Sequence, residues 1–279
     1  MRLYGLIGYP LGHSFSQKYF AEKFAREGIT DAHYELFPLE NISGLPALLK
    51  QHPDLCGLNV TIPHKESVIP FLHELDETAR AVGAVNCIKI ENQRLKGYNT
   101  DVIGFEKSLL NWGELFHVNP TPDPSPTGRG AVEYRERYPP RGGGVGGGVD
   151  ALILGTGGAS KAVAYVLQKL GITFHFVSRN PSGDNHITYD TLKKNDAFII
   201  HHSTFIINTT PLGMAPNTDS CPNLPFGRLT PQHLVYDLVY NPTETLLLQR
   251  AKAQGCTVKN GLEMLHLQAE AAWDIWEKK

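Results

Sequence analysis

Short apolar runs alternate with amphipathic stretches along most of the chain. Residues 3–8 read as a buried strand, and over 15–27 Phe20 and Phe24 stand at helical spacing with charges between them. The pattern then predicts a strand at 32–37, a helix at 42–50 and a strand at 58–62 that Pro63 stops. Helices are predicted over 66–72 and 74–82, a strand pair over 85–90 and 95–98, and a further helix over 102–112. Alternating β and α implies a layered α/β domain covering about 1–113.

The periodicity then stops. Residues 114–149 contain NPTPDPSPTGRG and PPRGGGVGGG, which offer too little apolar surface to offset the cost of ordering, so this stretch reads as a low-complexity insertion or linker. Order returns with the strand ALIL, the turn GTGG, a helix over 159–170 and the strand TFHFVS, which together make a βαβ unit. Further strands are predicted at 205–208, 234–237 and 257–259, a helix at 244–254 and a single helical turn near 189–193. The last helix, 262–276, has an apolar stripe through Leu262, Leu265, Ala269, Ala272 and Trp276. The fold class expected is α/β, with a Rossmann-like dinucleotide-binding domain over 150–261.

Charge and composition narrow the partners. The chain carries 26 basic and 28 acidic residues, a formal net charge of -2, so no global field would hold nucleic acid or an anionic membrane. No apolar run approaches the roughly 20 residues of a membrane span. A small-molecule partner is favoured, with neither nucleic acid nor membrane expected. Cys56, Cys87, Cys221 and Cys256 form no CxxC pair, which argues for reduced thiols and a cytoplasmic protein. The N-terminal apolar stretch is broken by Gly and Pro and reads as a strand, not a signal peptide. His201 and His202 are adjacent and point in different directions, so no metal site is expected. Arg129, Arg135, Arg137 and Arg141 lie in the insertion, diluted by Glu133 and Glu136, and read as linker charges.

The turn GTGGAS sits between a strand and a helix, where Gly155, Gly157 and Gly158 let the backbone approach a pyrophosphate and helix amides stabilise the anion. Ser160 stands in place of a third glycine. A phosphate-loop reading fails, because that motif needs four residues between its first glycine and an adjacent Gly-Lys pair. The second strand ends at Ser178 and Arg179, where the ribose should sit. An acid there would favour NAD; a guanidinium pairs with a 2′-phosphate and favours NADP.

Several other residues each have an ordinary structural explanation. Ser14 with Gln17 matches a capping box, Lys65 reads as a solvated lysine after the strand LNVTI, Asp101 as a helix N-cap, and Asn86 as a turn residue. Jointly they are harder to dismiss. GHSFS, NVTIPHK, GAVN, YNTD, NTTPLGM and NGLEMLHLQA occur in one order around the dinucleotide turn. With these motifs the chain closely resembles the shikimate dehydrogenase family over nearly all its length except the insertion.

The resemblance implies NADP-dependent reduction of 3-dehydroshikimate to shikimate by a monomer or homodimer. It also implies that 1–113 is the substrate domain, completed by the C-terminal helix 262–279. Lys65 and Asp101 would be catalytic, and Ser14, Ser16, Thr61, Asn86, Tyr240 and Gln268 would contact substrate. Gly155, Thr156, Gly157, Gly158, Ala159, Ser178 and Arg179 match the cofactor positions. Leu238 and Gly261 would flank the nicotinamide, and Glu77 is a further cofactor candidate. These roles suit the chemistry: a ketone receiving hydride develops negative charge that an ammonium can stabilise and protonate. Gln268 interrupts the apolar stripe of the last helix, so its amide needs a buried partner, either ligand or backbone. Two alternatives stand beside this reading, a quinate or shikimate dehydrogenase with relaxed cofactor use and a non-catalytic NADP-binding regulator.

Overall fold

The computed structural model describes residues 1–12, 15–112, 151–194 and 205–278; Ser14, the insertion, His201 and His202 lie outside these. In chain order the elements are β1 (Arg2–Gly8), α1 (Phe15–Glu27), β2 (Ala32–Pro38), α2 (Leu45–Gln51), β3 (Leu55–Val60), β4 (Glu74–Leu75), α3 (Glu77–Val82), β5 (Cys87–Glu91), β6 (Arg94–Tyr98) and α4 (Thr100–Leu110). Then come β7 (Ala151–Leu154), α5 (Gly158–Lys169), β8 (Phe174–Ser178), β9 (His186–Thr188), α6 (Tyr189–Lys194), β10 (Phe205–Asn208), β11 (Leu234–Asp237), α7 (Leu246–Ala253), β12 (Thr257–Asn260) and α8 (Leu262–Glu277). Two compact units result: Met1–Gly104 with Leu267–Lys279, and Phe105–His266. The division falls within α4 and α8, because a helix continues its period regardless of which unit its side chains pack in.

The first unit holds a mixed sheet in the order β2-β1-β3-β5-β6-β4. β1 runs parallel to β2 and β3, whereas β5 is antiparallel to both β3 and β6. One core cluster gathers Leu3, Ile7, Leu45, Leu58 and Ile88. Another sets Tyr4, Phe20, Phe24 and Tyr34 against Trp273 and Trp276 of α8. A Cβ on Gly57 would lie 2.3 Å from Trp276 Nε1, so only glycine lets the indole press on β3 and donate to Ile88 O at 3.0 Å.

Two helices expected from the sequence take another form. Over 66–72 the chain makes turns and a single 3₁₀ turn at Ile69–Phe71, because Pro70 lacks an N–H and disfavours helix before it. Residues 74–75 pair with β6 as a short strand, and α3 starts only after Asp76, whose carboxylate accepts from Ala79 N–H. Gly83, at φ 69°, ends that helix in the left-handed region.

The second unit has a six-stranded sheet ordered β12-β11-β10-β7-β8-β9, with every neighbouring pair parallel. Counted within the unit this is the doubly wound order 3-2-1-4-5-6 of a Rossmann fold. ALIL, FIIN and LVYD are buried throughout, as strands covered on both faces must be. Sequence reading missed β9, a three-residue strand at the sheet edge.

Candidate active site

Lys65 and Asp101 meet in the first unit, Lys65 Nζ donating to Asp101 Oδ2 at 2.6 Å. Lys65 lies in the loop after β3, and its carbonyl accepts from Val85 N–H at 2.7 Å while buried Val68 anchors the loop. Asp101 sits in the first turn of α4 and does not cap it. Asn99 takes the capping role instead: its Oδ1 accepts from Val102 N–H at 3.2 Å and its Nδ2 donates to Ala84 O at 2.8 Å. The expectation of an Asp101 cap therefore fails, since Asn86 Oδ1 captures Thr100 N–H at 2.6 Å and starts the helix earlier. Asp101 is left free to serve the site. Its second oxygen accepts from Asn86 Nδ2 at 2.9 Å, so both carboxylate oxygens are committed. The carboxylate is 8% exposed and the lysine side chain 18%. An ammonium held by one hydrogen and still partly open keeps donors for an incoming oxygen.

Asn86 is the hub of this cluster. Its Nδ2 lies 2.9 Å from Thr100 Oγ1 and 3.4 Å from Gln268 Oε1, and Thr100 Oγ1 is itself 3.4 Å from that oxygen. Gln268 thus finds side-chain partners in Asn86 and Thr100. Thr61, half-buried just after β3, donates its N–H to Ile7 O at 2.9 Å. A Cβ on Gly8 would fall 2.3 Å from Thr61 Cγ2, which is why the two strand ends can approach. Glu77 is exposed in the first turn of α3 and shares none of these hydrogen bonds.

A second polar chain runs through the apolar core to the same hub. Ser16 hydrogen-bonds the Tyr34 hydroxyl, and burial pushes that phenol well above its ordinary range. Tyr34 therefore stays neutral and donates to Asn59 Oδ1 at 2.7 Å, and Asn59 Nδ2 reaches Asn86 O at 3.4 Å. Sequence reading overlooked Tyr34 and Asn59. The available signal was a polar Asn59 inside the buried strand LNVTI, since a buried amide requires partners.

In the second unit the glycine turn follows β7, whose neighbours β8 and β10 lie on opposite sides, so the turn stands at the topological switch point. Gly155 adopts φ +106°, and a Cβ there would meet Thr209 Oγ1 at 2.9 Å. Thr156 and Gly157 are exposed, Gly158 and Ala159 half-buried, and a Cβ on Gly157 would enter open space. Ser160 is buried and donates to Gly157 O at 2.6 Å, closing the turn in place of a third glycine. At the end of β8, Ser178 is 8% exposed and its hydroxyl has no partner among the described residues, while Arg179 is exposed. Leu238 donates its N–H to Asn208 O at 2.9 Å, and a Cβ on Gly261 would lie 2.0 Å from Leu238 O, so glycine permits that close passage. Burial raises the phenol of half-buried Tyr240.

The family model of the shikimate dehydrogenase substrate binding domain matches residues 6–88. The NADP(+) shikimate dehydrogenase of Desulforamulus reducens is 35% identical, covering 98% of this chain and 88% of that protein. The chain belongs to the shikimate dehydrogenase family. The corresponding enzyme of Dictyoglomus turgidum is 36% identical over 99% of this chain and 91% of its own. Among solved structures, shikimate dehydrogenase 1 of Peptoclostridium difficile matches with a TM-score of 0.75 at 30% identity, covering 99% of this chain and 92% of that one. The Thermus thermophilus shikimate dehydrogenase, solved with NADP(H) and shikimate, matches with a TM-score of 0.72 at 27% identity, covering 99% and 94%.

As a shikimate dehydrogenase family member the chain should offer a dinucleotide cradle, and its residues fit NADP. A buried hydroxyl without a partner costs free energy unless a ligand meets it, and among the described residues Ser178 presents one where the adenosine ribose is expected. No acid stands at the end of β8 to repel a 2′-phosphate, and Arg179 follows directly.

Proposed function

We propose that this protein catalyses the reversible NADP-dependent reduction of 3-dehydroshikimate to shikimate, with Lys65 as acid and base and Asp101 as its partner. The 2.6 Å Lys65–Asp101 contact, its far oxygen pinned by Asn86, carries the proposal. NADPH, when bound, supplies the hydride. Gly155 to Ala159 would hold its pyrophosphate, and Ser178 with Arg179 its 2′-phosphate. As charge grows on the ketone oxygen, the Lys65 ammonium donates a hydrogen bond to it and then the proton. In the other direction the Lys65 amine takes the proton of the substrate hydroxyl. Asp101 holds Nζ in place throughout, which spares the cost of finding the reactive geometry afresh. Ser14, Ser16, Thr61, Tyr240 and Gln268 would bind the ring hydroxyls and carboxylate, and such a set discriminates against analogues lacking a hydroxyl. Residues 1–113 with 262–279 would form the substrate domain and 150–261 the NADP domain, as a monomer or homodimer. Among the described residues no helix is long and apolar enough to cross a membrane, and the four free thiols accord with a cytoplasmic enzyme.

The test is shikimate-dependent reduction of NADP by the purified protein, with quinate and NAD as competitors in the same assay. Lys65→Ala should lower kcat by roughly 10²- to 10⁴-fold, the usual contribution of a general acid–base group, while NADP binding persists. A folded, NADP-binding wild type that leaves shikimate untouched would refute the reading.

A further inference from the structure

β10 and β11 end on polar residues that face each other in register, Asn208 and Asp237, and neither has exposed surface. A buried carboxylate is costly unless donors surround it. Asp237 has three: Asn208 Nδ2 at 2.8 Å and Val239 N–H at 3.0 Å on Oδ1, and Thr245 Oγ1 at 2.6 Å on Oδ2. Each donor comes from a different segment: the end of β10, the loop after β11, and the N-cap of α7. Asn208 Oδ1 in turn accepts from Thr210 N–H at 3.0 Å and Thr210 Oγ1 at 2.6 Å. The two loops join again where Ala215 N–H donates to Asn241 O at 3.0 Å. Beside them stands Gly155, whose missing Cβ would touch Thr209 and Thr210.

Packing alone does not call for a charge here, because replacing a buried ionised group by a neutral one of equal shape is often harmless to stability. Rigidity at the carboxyl edge of the sheet is the better explanation, since ligands of open α/β sheets lie there. We propose that Asp237 is a positioning residue for hydride transfer, its carboxylate fixing the two loops, 209–215 and 238–243, that face the nicotinamide end of the bound dinucleotide. This rests on the dehydrogenase reading above and on the match of Leu238 to a nicotinamide-flanking position.

Asp237→Asn preserves the shape: its amide oxygen can still accept from Asn208 and Val239, and its NH₂ can face Thr245 Oγ1. The variant and wild type would be compared for thermal midpoint, for kcat and KM with shikimate, and for affinity toward NADPH and adenosine 2′,5′-bisphosphate, which lacks the nicotinamide. The expected result is an unchanged or higher midpoint, bisphosphate affinity within about twofold, little change in KM, weakened NADPH binding, and kcat down roughly ten- to a hundredfold, as for an ångström-scale misplacement. Thr245→Val removes one donor, together with the cap of α7, without touching the charge and should lower kcat less; it carries the same comparison if Asp237→Asn does not fold. Thr245→Ser keeps the hydroxyl and should restore the wild-type rate. Full kcat in folded Asp237→Asn overturns the proposal, and so does equal weakening of NADPH and bisphosphate binding. If the wild type binds NADPH but does not turn over shikimate, the dehydrogenase reading falls on its own. The positioning role then stands on a selective loss of NADPH affinity and falls without it.

Discussion

Replacing Asp101 by asparagine removes a charge and leaves volume almost unchanged, so the consequence can be worked from the hydrogen bonds. The carboxylate now accepts from Lys65 Nζ at 2.6 Å and from Asn86 Nδ2 at 2.9 Å. An amide can keep only one of these. With its oxygen toward Asn86, its NH₂ confronts the lysine ammonium; turned round, it confronts the Asn86 NH₂. A charge-assisted hydrogen bond contributes about 1.5–3 kcal/mol, which at about 1.36 kcal/mol per decade is roughly 10- to 150-fold in rate. Lys65 is 18% exposed and has a route to water, so the freed ammonium also leaves its position, a further factor of about a hundred. The combined loss of roughly 10³- to 10⁴-fold should fall on kcat, because the ammonium acts on charge present only in the transition state. KM for shikimate should rise by less than about tenfold. Initial rates followed by reduced-nicotinamide absorbance, with NADP affinity as control, measure both. A folded Asp101→Asn protein keeping more than about a third of wild-type kcat would refute the reasoning.

Ser178→Ala removes a hydroxyl that has no partner among the described residues, so thermal stability should hold or rise while NADP affinity falls by about 1 kcal/mol; NADP titration and thermal denaturation test both halves. Gly155→Ala forces a side chain into φ +106° and to within 2.9 Å of Thr209 Oγ1, and should destabilise the fold by about 1–3 kcal/mol as well as weaken NADP. Burial pushes the Asp237 carboxyl up to about 6 from its ordinary 3.8. The folded state therefore binds the proton more tightly than the unfolded state. This group's contribution is fully present below about pH 4 and lost as pH rises through about 6, a change of about 3 kcal/mol in unfolding free energy. Denaturant titrations at pH 4.5 and 7.5 should show a pH slope that Asp237→Asn flattens; an unchanged slope would contradict it. Glu270 behaves oppositely: burial raises its pKa, but hydrogen bonds from Lys23 and Tyr19 outweigh this and hold it below the usual range. Its contribution is lost as pH falls, and Glu270→Gln should reduce acid sensitivity in the same titrations.

Local physics determined much of this protein from the amino-acid order. Apolar strands such as ALIL and FIIN, the helix of Phe20 and Phe24, and the glycine turn after β7 each follow from periodicity or from steric demands that a few neighbouring residues express. The motif set around Lys65, Asn86 and Asp101 also carries the family resemblance, and the reaction follows as what that resemblance implies. What only tertiary structure decided are the pairings between distant segments. Lys65 meets Asp101, Asn86 gathers Thr100 and Gln268, Tyr34 supports Asn59, and Asn208 faces Asp237, because sheet order and crossover connections bring those segments together. Asn99 displaced Asp101 as helix cap for the same reason: the choice depended on the carbonyl of Ala84 and the amide of Asn86, which no local window contains. A side chain's own pattern tells whether it is buried; its partners are set by the fold that buries it.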